Sequence, residues 1–129
     1  MKVILTNEQY AEKVNFVDDN NRFVGYDLSQ GCCENAGWFI STAPQAGTSD
    51  EKTKLLNSII DFPGYNFDPY YFTRVEGSGE FDEGGMIIFR VYNGVKYLYI
   101  HIYNSHNGYY SHGFEYQLDK ETEVKSGSL

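Results

Sequence analysis

Alternation of apolar and polar positions is strongest between residues 86 and 103. Ile87, Phe89, Val91, Leu98, Ile100 and Ile102 share one face of two strands that flank Asn93-Gly94. Asn-Gly between two apolar runs is a strong signal for a two-residue type I′ hairpin. That turn sets Tyr92 opposite Val95, Phe89 opposite Leu98 and Ile87 opposite Ile100. The other face then carries Met86, Ile88, Arg90, Tyr92, Tyr97, Tyr99, His101 and Tyr103. A second hairpin follows, with a five-residue loop from Asn104 to Gly108. It pairs Leu98 with Phe114, Ile100 with His112 and Ile102 with Tyr110, and Tyr99 covers the bare backbone of Gly113. A tighter turn at Asn107-Gly108 would put Glu115 on the core face, which is costly for an unpaired carboxylate. The pattern therefore predicts a C-terminal three-stranded antiparallel meander.

Earlier segments are shorter and less regular. Lys2 to Leu5 reads as a short strand. Thr6 with Gln9 matches a capping box, and Tyr10 and Val14 would share one face of the helix it starts. Asp18-Asp19-Asn20-Asn21 is a turn cluster. Arg22 to Leu28 and Gly37 to Ile40 are strand candidates, with a loop over residues 29–35 between them. Thr48 with Glu51 is a second capping-box match, followed by the apolar stripe Leu55, Leu56, Ile59, Ile60 and a stop at Pro63-Gly64. Tyr70 to Glu76 is a further strand, and a flexible acidic connection leads from it to residue 86. The polar tail, residues 120–129, is expected to fray.

Composition supports one ordered domain. A chain of 129 residues buries roughly two-thirds of its unfolded surface, enough for a core without disulfides or metal. The aromatic fraction is 17%, with twelve Tyr and nine Phe, which favours pleated structure. A net charge of −8 argues against direct nucleic-acid binding and against an anionic membrane surface, and suits a partner with a basic surface. Met1 to Leu5 is too short for a signal-peptide core, and no apolar run approaches the ~20 residues of a membrane span. The two cysteines, Cys32 and Cys33, are adjacent and staple nothing distant, which points to a reducing, cytoplasmic compartment.

Asp27-Leu28-Ser29-Gln30-Gly31-Cys32-Cys33-Glu34, taken with Asn107-Gly108-Tyr109-Tyr110-Ser111, resembles a family of small phage and bacterial proteins, a domain of unknown function. The family pairs an acidic double-Cys segment with a Tyr-rich hairpin. The similarity covers about residues 22–41 and 85–117 and leaves the middle of the chain unmatched. It implies a phage or prophage origin and a shared fold, and it assigns no activity.

Three constellations carry chemistry. Cys32 and Cys33 with His106 or His112 form a thin set for zinc, because adjacent cysteines do not easily face one ion. The same cysteines with His101, His106 or His112 form a nucleophile and base, but Glu34 opposes thiolate formation and no thiol-hydrolase signature surrounds them. The stripe Tyr97, Tyr99, His101 and Tyr103 beside Arg90 is an aromatic surface with one cation, unless it is a second core layer. The loop residues Ser105, His106 and Asn107 extend it with hydrogen-bonding groups.

The expected fold is α+β: a mostly antiparallel sheet of five or six strands carrying one or two short helices, over residues 1–119. The expected function is a non-enzymatic binding protein, a phage or prophage accessory protein in the host cytoplasm that engages a host protein through the Tyr-rich face. No cofactor or metal is expected, and an exposed edge strand would allow a homodimer. The alternatives are a small thiol- or metal-dependent enzyme, and a nucleotide or sugar binder that stacks its ligand on the aromatic face.

Overall fold

The computed structural model describes residues 1–8, 11–29, 34–45, 54–55, 61–76, 83–106, 111–119 and 123–129. They form ten strands: β1 (Lys2–Glu8), β2 (Ala11–Val17), β3 (Phe23–Asp27), β4 (Glu34–Ser41), β5 (Lys54–Leu55), β6 (Asn66–Glu76), β7 (Glu83–Tyr92), β8 (Tyr97–His106), β9 (Gly113–Gln117) and β10 (Lys125–Ser128). One sheet has the order β1-β2-β3-β9-β10 and the other β5-β4-β8-β7-β6, with every pairing antiparallel. The two sheets share one apolar core. Val3, Val14, Phe16, Val24, Tyr26 and Phe114 enter it from the first sheet, and Trp38, Ile40, Phe67, Ile87, Phe89 and Ile100 from the second. The expected α+β class is thereby corrected: the described residues contain no helix, and the fold is an all-β sandwich.

Both expected helices give way for identifiable reasons. Tyr10 and Val14 suit a helical face, but Val14 and Phe16 also alternate with Lys13, Asn15 and Val17. Alternation wins: β2 pairs with β1, setting Val3 against Phe16 and Leu5 against Val14, and both β2 side chains are fully buried. The second helix falls largely outside the described residues. Within it, Lys54 and Leu55 pair as strand with Ser41 and Ile40.

The β7–β8 hairpin forms with the predicted faces and a corrected register. Tyr92 pairs with Tyr97, Phe89 with Ile100 and Ile87 with Ile102, so the loop has four residues rather than two. The Asn93 side chain widens it: its Oδ1 accepts from the amides of Val95 (2.9 Å) and Lys96 (2.7 Å). A two-residue shift preserves side-chain parity, which is why the face assignment survives. The predicted pairing of β8 with the strand at 113–117 does not form. β8 lies between β7 and β4, while β9 crosses to the first sheet and pairs with β3 and β10. β4 buries Trp38 and Ile40 on one face and Phe39 on the other, so it suits an interior position. β9 alternates Phe114 and Tyr116 with Glu115 and Gln117, and so fits a sheet with one face in solvent. Tyr99 consequently stands opposite Ser41 and Arg90 rather than Gly113. The ring-over-glycine device occurs instead at Gly37, where an added Cβ would sit 2.5 Å from the Tyr103 hydroxyl oxygen.

Within the tail expected to fray, the described residues 123–129 carry a strand. β10 pairs with β9, and Leu129 is buried. Its amide donates to the His112 carbonyl (2.8 Å), and its carbonyl accepts from the His112 amide (2.7 Å).

Among the polar groups that tie the sheets together, Tyr26 and Asp18 are buried. The buried Tyr26 hydroxyl donates to the Tyr103 carbonyl across the core (2.7 Å). The buried Asp18 carboxylate accepts from the Asn20 and Arg22 amides through Oδ1 (2.9 Å each) and from the Phe67 amide through Oδ2 (3.0 Å). Asp18 thus shapes the predicted turn after β2 and fastens it to β6 of the other sheet. Asp18→Ala would strand the buried Phe67 amide as well as two turn amides, so it is expected to cost about 3 kcal/mol. Asp18→Asn, which keeps an acceptor, should cost less. Urea unfolding of the two variants checks this, and equal losses would remove Asp18 from its bridging role.

Candidate functional site

The feature that stands out is an irregularity in β6. Phe67 pairs with Val91 and Phe72 with Phe89, so five residue steps on β6 face two on β7. The surplus forms a wide bulge at Asp68-Pro69-Tyr70-Tyr71 on an edge strand. The Asp68 side chain builds the local turn by accepting the Tyr70 amide at Oδ1 (2.9 Å). Pro69 cannot donate to a ladder and is tolerated here because the strand is at the edge. Tyr70 is thrown outward and is 95% exposed.

Arg90 on β7 holds the bulge from beneath. Its Nε (3.0 Å) and Nη2 (2.5 Å) both donate to Asp68 Oδ2. The guanidinium carbon lies 4.7 Å from the Tyr71 ring centroid and 4.4 Å from that of Tyr97, so the cation sits between two aromatic faces. Both charged side chains are mostly shielded from water. Burial alone would raise the Asp68 carboxyl. The hydrogen bonds from Arg90 and Tyr70 and the guanidinium charge outweigh that and hold it below its ordinary value. The hydrogen bond to Asp68 in turn raises Arg90 above its ordinary value, against the pull of burial.

Tyr92 and Tyr97 close the hairpin as a stacked pair, with ring centroids 4.5 Å apart. Both are exposed, and the Tyr92 hydroxyl donates to the Gly94 carbonyl (2.8 Å). Together with Tyr70, Asn66 and Asn93 they line an open depression of about 520 Å³. Tyr97 is braced by Arg90 and stacked on Tyr92, whereas Tyr70 projects into solvent.

The predicted stripe therefore divides along its length. Tyr97 lines this depression, and Arg90 lies behind it, bound to the lining residue Asp68. Tyr99 is half-buried and packs edge-on against Tyr71, with centroids 5.6 Å apart. Tyr103 is half-buried over Gly37. His101 is not a surface group: it is fully buried and stacked on Phe39 at 4.2 Å, beside a second apolar cluster of Phe39, Met86 and Ile88. Its Nε2 accepts the Gln45 amide (3.1 Å), and its Nδ1 donates to the Tyr99 carbonyl (3.1 Å). A ring with both nitrogens so engaged is neutral, and burial lowers its pKa from 6.5 to about 4. Ser105 is half-buried on β8. His106 ends that strand, and Asn107 lies outside the described residues, as do Cys32 and Cys33. His112 is buried, with its Nδ1 on the Asp27 carbonyl (2.7 Å). Among the described residues, no three His, Cys, Asp or Glu side chains are placed to hold a metal, and no helix is long and apolar enough to cross a membrane.

Sequence reasoning missed Asp68, Tyr70 and Tyr71. Asp-Pro-Tyr-Tyr opening a strand was the available signal, since Asp-Pro favours turn initiation. A second depression, of about 490 Å³, lies on the outer face of the first sheet around Gly25. Its Lys13 and Glu115 pair with each other at 2.7 Å, and it presents no exposed aromatic anchor.

Comparison with protein-family models, curated proteins and solved structures returns no match.

Two outcomes follow from this geometry. Arg90→Leu leaves the half-buried Asp68 carboxylate without its cation and is expected to cost about 2 kcal/mol. Tyr70→Ser, at a site almost wholly in water, should change stability by no more than about 0.5 kcal/mol. Denaturant midpoints distinguish the two, and similar losses would mean that the bulge does not depend on Arg90. The second outcome concerns pH. His101 stays neutral in the folded chain down to about pH 4, whereas the unfolded chain protonates it near 6.5. The unfolded state binds more protons in that window, so stability falls as pH drops from 6.5 to 4, by at most about 3 kcal/mol from this residue. His101→Gln should flatten that part of the stability profile, and parallel profiles for the two proteins would exclude the assignment.

Proposed function

We propose that this protein is a non-enzymatic binding protein, an accessory protein of phage or prophage that engages a host protein in the bacterial cytoplasm. Its contact surface is the hairpin end of the second sheet: Tyr70, Tyr92 and Tyr97 around the Arg90–Asp68 pair. One observation carries the reading. Three exposed tyrosines line one depression together with Asp68, whose carboxylate is fixed by Arg90. Tyr and Arg are the residues that dominate binding energy at protein interfaces, and rigid rings lose little entropy on contact. The net charge of −8 favours approach to a basic surface. His101 and His112 support a thiol or metal enzyme poorly, because both are buried and hydrogen-bonded within the fold.

The test is photo-crosslinking in the bacterial host. A benzophenone amino acid is placed at position 70, and separately at position 4 on the edge strand of the other sheet. A defined protein adduct is expected from position 70 and lost when Tyr92 and Tyr97 are changed to Ser. Absence of adducts at position 70, or equal adducts at both positions, would exclude this surface.

A further inference from the structure

We propose that Asn93 is a site of spontaneous covalent modification, at which the Gly94 nitrogen closes a succinimide ring on the Asn93 side chain and water opens it to aspartate or isoaspartate. Asn93 and Gly94 lie exposed at the end of the β7–β8 hairpin. Asn93 Oδ1 accepts from the amides of Val95 (2.9 Å) and Lys96 (2.7 Å). Two N–H donors can be met only by the oxygen, so the orientation of the side-chain amide is fixed. To reach those donors the side chain turns back over the Gly94 peptide. Gly94 has φ +95°, and the space where a Cβ would stand is open, so the Gly94 nitrogen and an incoming water are unobstructed. Among the described residues no hydrogen bond holds the Gly94 N–H, whereas its carbonyl accepts from the Tyr92 hydroxyl (2.8 Å).

The reaction balances with water and hydroxide alone. Hydroxide takes the Gly94 amide proton, and the nitrogen attacks Asn93 Cγ. Oδ1 becomes an oxyanion in the tetrahedral intermediate, with the Val95 and Lys96 N–H groups aimed at it. A hydrogen bond to an oxyanion is stronger than one to a neutral carbonyl, so these donors favour the intermediate over the starting amide. Collapse breaks the bond from Cγ to the side-chain nitrogen, which takes a proton from water and leaves as ammonia, regenerating hydroxide. Water then adds to a ring carbonyl and cleaves its bond to the Gly94 nitrogen. Cleavage at Cγ leaves aspartate, and cleavage at the main-chain carbonyl leaves isoaspartate. Nothing is oxidised or reduced. Either product places a negative charge on a residue that lines the tyrosine depression. Isoaspartate also lengthens the main chain by a carbon within the turn to which Tyr92 is bonded and beside which it stacks on Tyr97. The chemistry does not depend on the protein-binding reading above.

The experiment incubates the full-length protein in mildly alkaline buffer, folded in one sample and unfolded in urea in another. The Asn93 peptide is followed by mass spectrometry with electron-transfer fragmentation, which tells aspartate from isoaspartate. Peptide mapping keeps Asn93-Gly94 apart from Asn107-Gly108. Both products are expected at position 93, formed in the folded protein at least as fast as in urea. Conversion confined to urea would show that the turn protects Asn93 and would overturn the proposal. Aspartate without isoaspartate would also overturn it, because direct hydrolysis of the side chain passes through no ring. Asn93→Ser, which keeps an acceptor for the turn amides, should abolish conversion at this position. Ion exchange then separates the modified protein from the unmodified by charge. Amide NMR of the two ¹⁵N-labelled fractions is expected to differ at Tyr92, Gly94 and Tyr97, and identical spectra there would overturn the effect on the tyrosine surface.

Discussion

The hairpin of β7 and β8 is apolar on both faces, and most of the architecture answers to that. Ile87, Phe89, Val91, Ile100 and Ile102 need cover on one side, while Met86 and Ile88 need it on the other. A sheet that must be buried on both faces cannot sit at the surface of a single-layer fold. The first sheet covers one side with Val14, Phe16, Val24 and Tyr26, and it presents Lys13, Asn15, Asp27 and Glu115 outward. On the other side His101 stacks on Phe39 and takes its hydrogen bond from Gln45, so a polar ring is carried into an apolar cluster as a neutral group.

The same constraint explains where the candidate site lies. Cover is complete along the middle of β8 and runs out at the hairpin, where Tyr92 and Tyr97 reach water. β6, the edge strand, bulges at that point and adds Tyr70. An edge strand is ordinarily a hazard for unwanted pairing, and a proline with a wide bulge blunts it. The aromatic groove is thus formed by the device that ends the sheet. Beneath it lies one ion pair whose partners are both shielded, Arg90 and Asp68, with the guanidinium between Tyr71 and Tyr97.

Directional contacts between described residues join the two sheets. Asp18 reaches from the β2–β3 turn to the Phe67 amide, one residue before the bulge begins. Tyr26 reaches from β3 to the Tyr103 carbonyl. Arg74 of β6 donates to the Ser128 carbonyl of β10 (3.0 Å). Each joins a polar atom of one sheet to the backbone of the other, so the relative placement of the sheets is set by directional contacts as well as by the non-directional apolar core.

Local sequence determined the elements whose signal is a two-residue period. The strands at 2–8, 23–27, 34–41, 66–76, 83–92 and 97–106 were each legible at least in part, as were the two faces of the hairpin and the place of Arg90 and Tyr97 on one of them. Pairing partners were decided only by the tertiary structure. A capping box and an i, i+4 pair at residues 6–14 fit a helix locally, and only burial of Val14 and Phe16 against Val3 and the second sheet made them strand. β9 is next after β8 in the chain, yet it joins β3, because its one-sided pattern suits the solvent-facing sheet and β4 fits beside β8 on both faces. The polar segment at 125–128 has no apolar period and is a strand only because β9 offers it an open edge. The bulge of β6 likewise has no pattern of its own: an Asp-Pro turn becomes an aromatic groove only where Arg90, from another strand, holds the carboxylate. Periodicity reports which face of a strand is buried, whereas the partner across that face is a long-range choice that depends on the whole core.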